Sequence, residues 1–299
     1  MRWLIASLLL LALGCAPAAA WGPMARLAVR QLSMTGAGEA GWLIDRSDAV
    51  YSSQILRLSK ENTIKALNRG ERLIEIEFPT TRGNDPSVSE TLDRSRTFAR
   101  EFLKDAYFTK LGKELWVLMP DAKEAYLARQ KFGENLPFVL TSIEGALTEN
   151  AKAASPPRVI VSVSPGFNID EWINTEKVHD KFSGAAVVTI NGNLERLRNG
   201  YYPSFFYPGL TQSTNRFYKK FKQALFLNPI AVGGDRLGAW LFKAGDEQWQ
   251  VLVKTRAVGP GTPARLDCIS STSEEPKAQE AWRLASSSYK QRNPGAGIF

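Results

Sequence analysis

Segments of helical and strand-like polarity alternate along the first half of the chain. Amphipathic stretches with apolar residues at helical spacing are separated by short apolar runs that end at Gly, Pro or Asp, and these two patterns predict helices and strands respectively. The predicted helices are 48–69, 87–108 and 122–132, and the predicted strands are 72–78, 114–119 and 137–142. For the second helix, Ser87 or Ser89 is a suitable N-terminal cap.

The same alternation returns after a Gly-, Ala- and Pro-rich loop at 145–157. A strand at 158–164, a helix at 169–182 and a strand at 185–191 are expected there. Further on, 237–243 and 248–255 are two apolar runs joined by a short polar turn, which is typical of a β-hairpin.

This order of elements predicts an α/β fold, because helices between strands favour parallel pairing with helices on both faces of the sheet. We expect a Rossmann-like, three-layer arrangement with a mostly parallel sheet and a C-terminal antiparallel β-hairpin at its edge. The predicted single domain spans 48–255. Residues 256–299, rich in Gly, Pro and Ser, are expected to form a weakly ordered tail with one short helix at 275–288.

Residues 1–20 have the composition of a secretory signal peptide: Arg2, an apolar run and small residues before a cleavage point after Ala20. A retained membrane anchor fits less well because the run is short. A lipoprotein at Cys15 fits less well because Ala12 and Leu13 match the usual lipobox poorly.

A second targeting segment is expected at 21–45. Its first part, from Trp21 to residue 38, contains Arg26 and Arg30 but no acidic residue, which is typical of a transit peptide. A signal peptide, an aromatic residue and then a transit peptide resemble the two-part leader of algae with secondary plastids, although Phe is more usual than Trp at that position. We therefore expect a plastid protein, in the stroma or on the stromal face of the thylakoid.

Composition excludes several classes of function. The net charge is +8 and the pI about 9.4, but the basic residues are spread along the chain, so nucleic acid is not an expected partner. Removal of the leader leaves Cys268 as the single cysteine, which precludes an intramolecular disulfide. The motifs GxGxxG, GxxxxGK[ST], GxSxG and HExxH are missing, and His179 is the single histidine. No cofactor, metal or catalytic residue is expected, and we interpret His179 as a solvated surface residue.

Polar residues at the carboxyl ends of four predicted strands form a candidate ligand site, since ligands of open α/β sheets bind there. These residues are Glu77, Asp121, Ser164 and Asn191. Glu75 and Glu77 also share one face of their strand, which is unusual for a strand covered on both sides. The alternative interpretation is that this face meets solvent or Arg residues and that Asp121 and Asn191 are turn residues.

An aromatic segment follows the last of these strands, within "RLRNGYYPSFFYPGL". Aromatic and Arg side chains are frequent anchors of protein interfaces, so it is a candidate partner-binding segment. The candidate residues are Arg198, Tyr201, Tyr202, Phe205 and Phe206. The alternative is that the rings cover the core beneath a long connection. Next, Phe217, Phe221 and Leu225 recur at helical spacing, predicting a basic amphipathic helix that packs on the sheet or contacts anionic thylakoid lipid.

Several of these motifs together resemble a plastid and cyanobacterial family, domain of unknown function nineteen-ninety-five. The resemblance covers about 48–255. The matching residues are Glu77, Phe78, Pro79, Asp85, Asn191, Leu194, Arg198, Gly200, Tyr201, Pro203, Gly238 and Trp249.

The resemblance implies a function without assigning catalytic residues. Plant members of that family include a chloroplast factor that helps photosystem II assemble and a domain fused to chloroplast adenylate kinases. We therefore expect a non-enzymatic protein that binds photosystem II subunits or assembly factors. The alternative is an enzyme acting on a nucleotide or phosphorylated metabolite at the strand ends.

Overall fold

The computed structural model describes residues 53–80, 87–148, 155–232, 235–255 and 265–292. The predicted signal and transit segments, 1–20 and 21–45, lie outside these residues. Within the described parts, no helix has the length and apolar content that crossing a membrane requires.

The strands of the described chain form one sheet. They are β1 (Leu73–Glu77), β2 (Leu115–Met119), β3 (Val139–Ser142), β4 (Val159–Val163), β5 (Ala186–Ile190), β6 (Lys222–Val232), β7 (Asp235–Ala244), β8 (Trp249–Thr255) and β9 (Arg265–Thr272). The spatial order is β3-β2-β4-β5-β1-β6-β7-β8-β9. Strands β1 to β6 pair in parallel, and β6 to β9 pair antiparallel. The first strand therefore lies in the middle of the sheet, between β5 and β6.

The helices connect and cover these strands. They are α1 (Ser53–Asn68), α2 (Val88–Leu103), α3 (Ala106–Leu111), α4 (Ala122–Phe132), α5 (Ile143–Thr148), α6 (Ile169–Lys181), α7 (Leu194–Arg198), α8 (Pro208–Arg216) and α9 (Ala278–Arg292). Short 3-10 turns lie at Gly112–Glu114 and Tyr218–Lys220.

Two helix layers enclose the sheet, as the α/β pattern predicts. Helices α1 to α4 pack on one face, where Ile74 and Ile76 of β1 join Phe98 of α2. Helices α5 to α8 pack on the other face, around Trp116 and Trp172. On that second face, α9 covers the antiparallel strands. The predicted three-layer α/β class, with its mostly parallel sheet and C-terminal antiparallel strands, is confirmed.

The predicted helix at 87–108 is in fact two helices. Ser87 begins α2 by accepting a hydrogen bond from the Glu90 backbone N–H at 3.1 Å. At the other end, Asp105 accepts one from the Tyr107 N–H at 2.9 Å and so begins α3. An Asp side chain that caps a new helix competes with continuation of the old one.

The amphipathic helix predicted around Phe217 and Phe221 is wrong. Helix α8 ends at Arg216, a 3-10 turn follows, and β6 begins at Lys222. Both Phe rings are buried, so they are unavailable to a lipid surface.

Two other segments are more regular than expected. Helix α5 occupies the start of the loop predicted at 145–157. In the predicted tail, β9 adds a strand beyond the β7–β8 hairpin, and Ala281 and Ala285 of α9 are buried against the sheet. Weak order is therefore wrong for 265–292, because β9 continues the backbone ladder and α9 covers an apolar sheet face.

Candidate functional site

The four predicted ligand residues lie along one edge of the sheet. Asp121, Ser164, Asn191 and Glu77 lie at or just after the carboxyl ends of β2, β4, β5 and β1, which are consecutive neighbours. The structure therefore places them in a row, although the sequence separates them widely.

Two of these residues make contacts that hold the fold. The Asp121 carboxylate accepts a hydrogen bond from the Glu124 N–H at 2.8 Å and caps α4. The Asn191 side chain accepts from the Phe78 N–H and donates to Ser95 Oγ, both at 3.0 Å, and so joins the ends of β1 and β5 to α2. A role for either in ligand binding stays a prediction.

Ser164 and Asn191 both have a positive φ, but Ser tolerates this conformation less readily than Asn does. The φ of Ser164 is 51°, in the left-handed region that non-Gly residues seldom adopt. Its buried hydroxyl has no hydrogen-bond partner among the described residues. Such features occur at functional sites more often than elsewhere, but they do not define a reaction.

Glu77 is the buried carboxyl group of this edge. It is 4% exposed, and one oxygen accepts a hydrogen bond from the Asn193 N–H at 3.1 Å. Burial, followed by the negative charge of Glu75, raises the pKa of Glu77 from 4.5 to about 8. Glu77 is therefore mostly protonated at neutral pH.

The other carboxylate of β1, that of Glu75, forms an ion pair in the protein interior. Glu75 is fully buried, and its carboxylate accepts hydrogen bonds from Arg198 Nη1 at 2.7 Å and Nη2 at 3.3 Å. Gln223 of β6 donates to the same carboxylate at 3.0 Å. Arg198 also donates through Nε to Glu275 at 2.9 Å. This set, Glu75, Arg198, Gln223 and Glu275, is the buried ion cluster, and it ties β1, α7, β6 and the segment before α9 together.

As a member of the buried ion cluster, Arg198 lies mainly in the protein interior. Its side chain is 11% exposed. Although burial opposes it, the charges of Glu75 and Glu275 raise the pKa of Arg198, so the guanidinium stays charged. The sequence indicated an Arg partner for Glu75 without identifying it, and it gave no sign of Glu275, which lies 77 positions after Arg198. The role of Arg198 in partner binding stays a prediction. The low exposure of its side chain does not favour that role.

The aromatic segment, residues 199–207, begins with a well-defined end to α7. Gly200 has φ of 70°, and the Tyr201 N–H donates to the Arg196 carbonyl at 3.0 Å. The Gly200 N–H donates to the Leu197 carbonyl at 3.4 Å. These two bonds form a Schellman motif, in which glycine avoids the steric cost of a positive φ. The end of α7 therefore fixes where the aromatic rings emerge.

Of the four candidate rings in the segment, one anchors it and three project from it. Tyr202 packs against the buried Trp172, with 5.5 Å between ring centres. By contrast, Tyr201, Phe205 and Phe206 are 68%, 87% and 71% exposed. Each of the two interpretations of the sequence therefore applies to part of the segment. Tyr202 covers the core, whereas Tyr201, Phe205 and Phe206 face outward.

The remaining polar candidates are structural. His179, expected to be solvated, is half-buried and stacks on Phe217 at 5.0 Å between ring centres. Burial lowers the pKa of His179 and raises that of the Cys268 thiol in β9. No group of three or more His, Cys, Asp or Glu side chains in the described ranges is arranged to hold a metal ion.

Comparison with known families gives a match that covers most of the described chain. The model of a family described as domain of unknown function (DUF1995) matches residues 52–283. The chain belongs to this family. Neither curated proteins nor solved structures gave a significant match.

The DUF1995 match extends past the region of resemblance in the sequence. It includes β9 and the first residues of α9, and therefore also Glu275. All four residues of the buried ion cluster consequently lie within the DUF1995 domain.

Proposed function

We propose that this DUF1995 protein is a non-enzymatic plastid protein that binds a protein partner through the aromatic segment. The observation that carries the proposal is the exposure of Tyr201, Phe205 and Phe206 in one short segment. Soluble proteins seldom expose several large apolar rings together unless they form an interface. Aromatic rings also remove large apolar areas from water on binding, at low cost in side-chain entropy.

The rigidity of the segment supports this proposal. The N–H groups of Phe206 and Tyr207 both donate to the Pro203 carbonyl at 3.1 Å, and Pro208 begins α8 directly afterwards. A segment held in one conformation loses less entropy on binding than a loose one. The exposed rings are therefore presented in a preorganised form.

The plastid setting of the proposal rests on the two-part leader and on what the family resemblance implies. Photosystem II subunits or assembly factors are the partners we propose on that basis. Residues 1–45 fused to a fluorescent protein should reach the plastid of an alga with secondary plastids, whereas Trp21→Ala should leave the fusion in the endoplasmic reticulum. Microscopy with a plastid marker measures this, and Trp21→Phe is the matched control. Secretion of the unmodified fusion would contradict the proposal.

A second candidate function is an enzyme at the carboxyl edge of the sheet, acting on a nucleotide or phosphorylated metabolite. The raised pKa of Glu77 and the strained Ser164 favour it, because such groups are common in active sites. If it is correct, Glu77→Gln with Asp121→Asn abolishes turnover and leaves partner capture unchanged.

Partner binding is tested by Phe205→Ala combined with Phe206→Ala. The two rings contact each other at 5.3 Å between centres and are largely exposed, so the fold should survive. Loss of interface anchors costs about 2 kcal/mol or more, equivalent to a roughly thirtyfold weaker affinity. Affinity purification from plastid extract, quantified by mass spectrometry, should show loss of the partners.

The matched control is Tyr126→Ala on α4, which removes an aromatic ring that is 62% exposed elsewhere. It should capture the same partners as the unmodified protein. Circular dichroism checks that each variant is folded. If the Phe205/Phe206 variant is folded and captures an unchanged set of partners, the result contradicts the proposal.

A further inference from the structure

A cavity of about 290 Å³ lies between α7, the aromatic segment and α8. Leu197 and Leu210 give it an apolar part, and Tyr202 and Pro203 line it from the aromatic segment. Its volume lies just below the usual range for ligand sites, which is about 300–1,000 Å³, so it suits a compact ligand. It is separate from the strand-end residues Glu77, Asp121, Ser164 and Asn191, none of which lines it.

Arg198 connects this cavity to the buried ion cluster. A guanidinium has five N–H donors, and the described contacts of Arg198 with Glu75 and Glu275 use three of them. Arg198 also lines the cavity, with a side chain that is 11% exposed. The cavity therefore contains a cation that the buried Glu75 and the partly exposed Glu275 hold in place, and two of its N–H donors have no described protein partner.

A second cation lines the cavity from the 3-10 turn that follows α8. Lys219 is exposed and forms no ion pair with any residue in the described ranges. By comparison, the nearby Arg216 and Lys222 are paired, with Glu176 and Glu71 respectively. Ser204 and Asn215 add further polar groups to the lining.

We propose that this cavity binds a small organic anion, with a carboxylate or phosphate group on a compact apolar body. Arg198, Lys219 and Asn215 supply N–H donors for the anionic group, and charge-assisted hydrogen bonds of this kind are the stronger ones. Leu197, Leu210 and Tyr202 are included in the same lining and suit the apolar body. This ligand site goes beyond partner binding and does not depend on it.

Lys219 is the residue that tests the proposal. Glu75 and Glu275 together outweigh the single charge of Arg198. Of the two cations in the lining, Lys219 is therefore the one whose charge no carboxylate of the described residues offsets. Lys219→Gln removes that charge from an exposed position and should leave the fold intact. Because solvent screens an exposed charge, we expect the affinity for an anion to fall by about two- to fivefold.

The experiment titrates the full chain with phenyl phosphate and with benzoate, and with neutral benzyl alcohol as the uncharged probe. Backbone amide resonances of Gly200, Ser204 and Asn215 report binding in the cavity. Lys220→Gln is the matched control, because Lys220 is the next exposed residue of the same turn and does not line the cavity.

The proposal predicts saturable shifts at these amides with at least one anion, weaker binding of benzyl alcohol, a loss in Lys219→Gln and no loss in Lys220→Gln. Equal losses in the two Lys variants would mean general attraction of anions to a basic surface and would overturn it. So would equal binding of benzyl alcohol, or no saturable shift with either anion. None of these results bears on the Phe205/Phe206 variant, so the two proposals succeed or fail separately.

Discussion

Arg198→Met should destabilise the protein by about 3–5 kcal/mol, the range for removing one partner of a buried ion pair. Methionine keeps much of the apolar length but leaves the fully buried Glu75 carboxylate without the cation that now contacts both of its oxygens. Urea denaturation followed by circular dichroism measures the loss as a lower midpoint with an unchanged slope.

A second substitution separates charge from packing. Combining Arg198→Met with Glu75→Gln removes both charges of the pair and should recover a large part of the lost stability. Arg158→Met is the surface control, since its partner Glu114 and Arg158 itself are both largely exposed, and it should change stability by less than about 1 kcal/mol. If the double variant instead loses as much free energy of unfolding as Arg198→Met and Glu75→Gln lose in sum, Arg198 acts through packing alone.

Glu77→Gln should stabilise the protein at alkaline pH and have little effect at pH 5. Glutamine retains an oxygen that can accept the Asn193 hydrogen bond but has no proton to lose. The Glu77 carboxyl has a pKa of about 8 in the folded protein against 4.5 ordinarily. The folded state therefore retains a proton that the unfolded chain has already released between these values.

The sign of the pH dependence follows from this difference in bound protons. Because the unfolded chain binds fewer protons in this window, Glu77 makes the free energy of unfolding fall as pH rises from 4.5 to 8, by at most about 1.4 kcal/mol per pH unit. Urea denaturation at intervals between pH 5 and pH 9 should show the variant and the unmodified protein diverging, with Glu90→Gln on exposed α2 surface as the control. Parallel curves for Glu77→Gln and the unmodified protein would contradict protonation of Glu77.

The parallel part of the fold was predictable because its local signals agree. β2 and β4 are buried at every position, and their runs, apolar apart from Ser162 in β4, are those of strands covered on both faces. Helix α4 has the predicted bounds because Asp121 caps its beginning and Gly133 follows its end. Where apolar pattern, cap and terminator coincide, the sequence alone defines the element.

The start of β6 was mispredicted because apolar residues at helical spacing belong to different elements. Phe217 and Phe221 flank the 3-10 turn and pack on the same face as Trp172, whereas Leu225 lies in β6 and packs into the core on the other face. Their burial comes from the sheet and helices that surround them, and a local pattern does not contain that information.

The candidate site was predictable in part for a similar reason. Two carboxylates on one face of β1 indicated either solvent or an Arg partner, and Arg198 is that partner. It lies 123 positions away, and only the placement of β1 between β5 and β6 brings α7 over Glu75. Likewise, Tyr202 is anchored and Phe205 is exposed because Tyr202 packs on Trp172 of α6, a contact that the local sequence does not reveal.

The central position of β1 also affects how the protein reaches its folded state. Both neighbours of β1 come much later in the chain, and Gln223 of β6 lies 148 positions after Glu75. A chain that leaves a ribosome or crosses a membrane from its N-terminus therefore carries β1 with both edges unpaired until most of the domain has emerged. During that interval Glu75 and Glu77 face water, where carboxyl groups are ionised at neutral pH. Two like charges on a five-residue strand oppose its association with other unfolded chains.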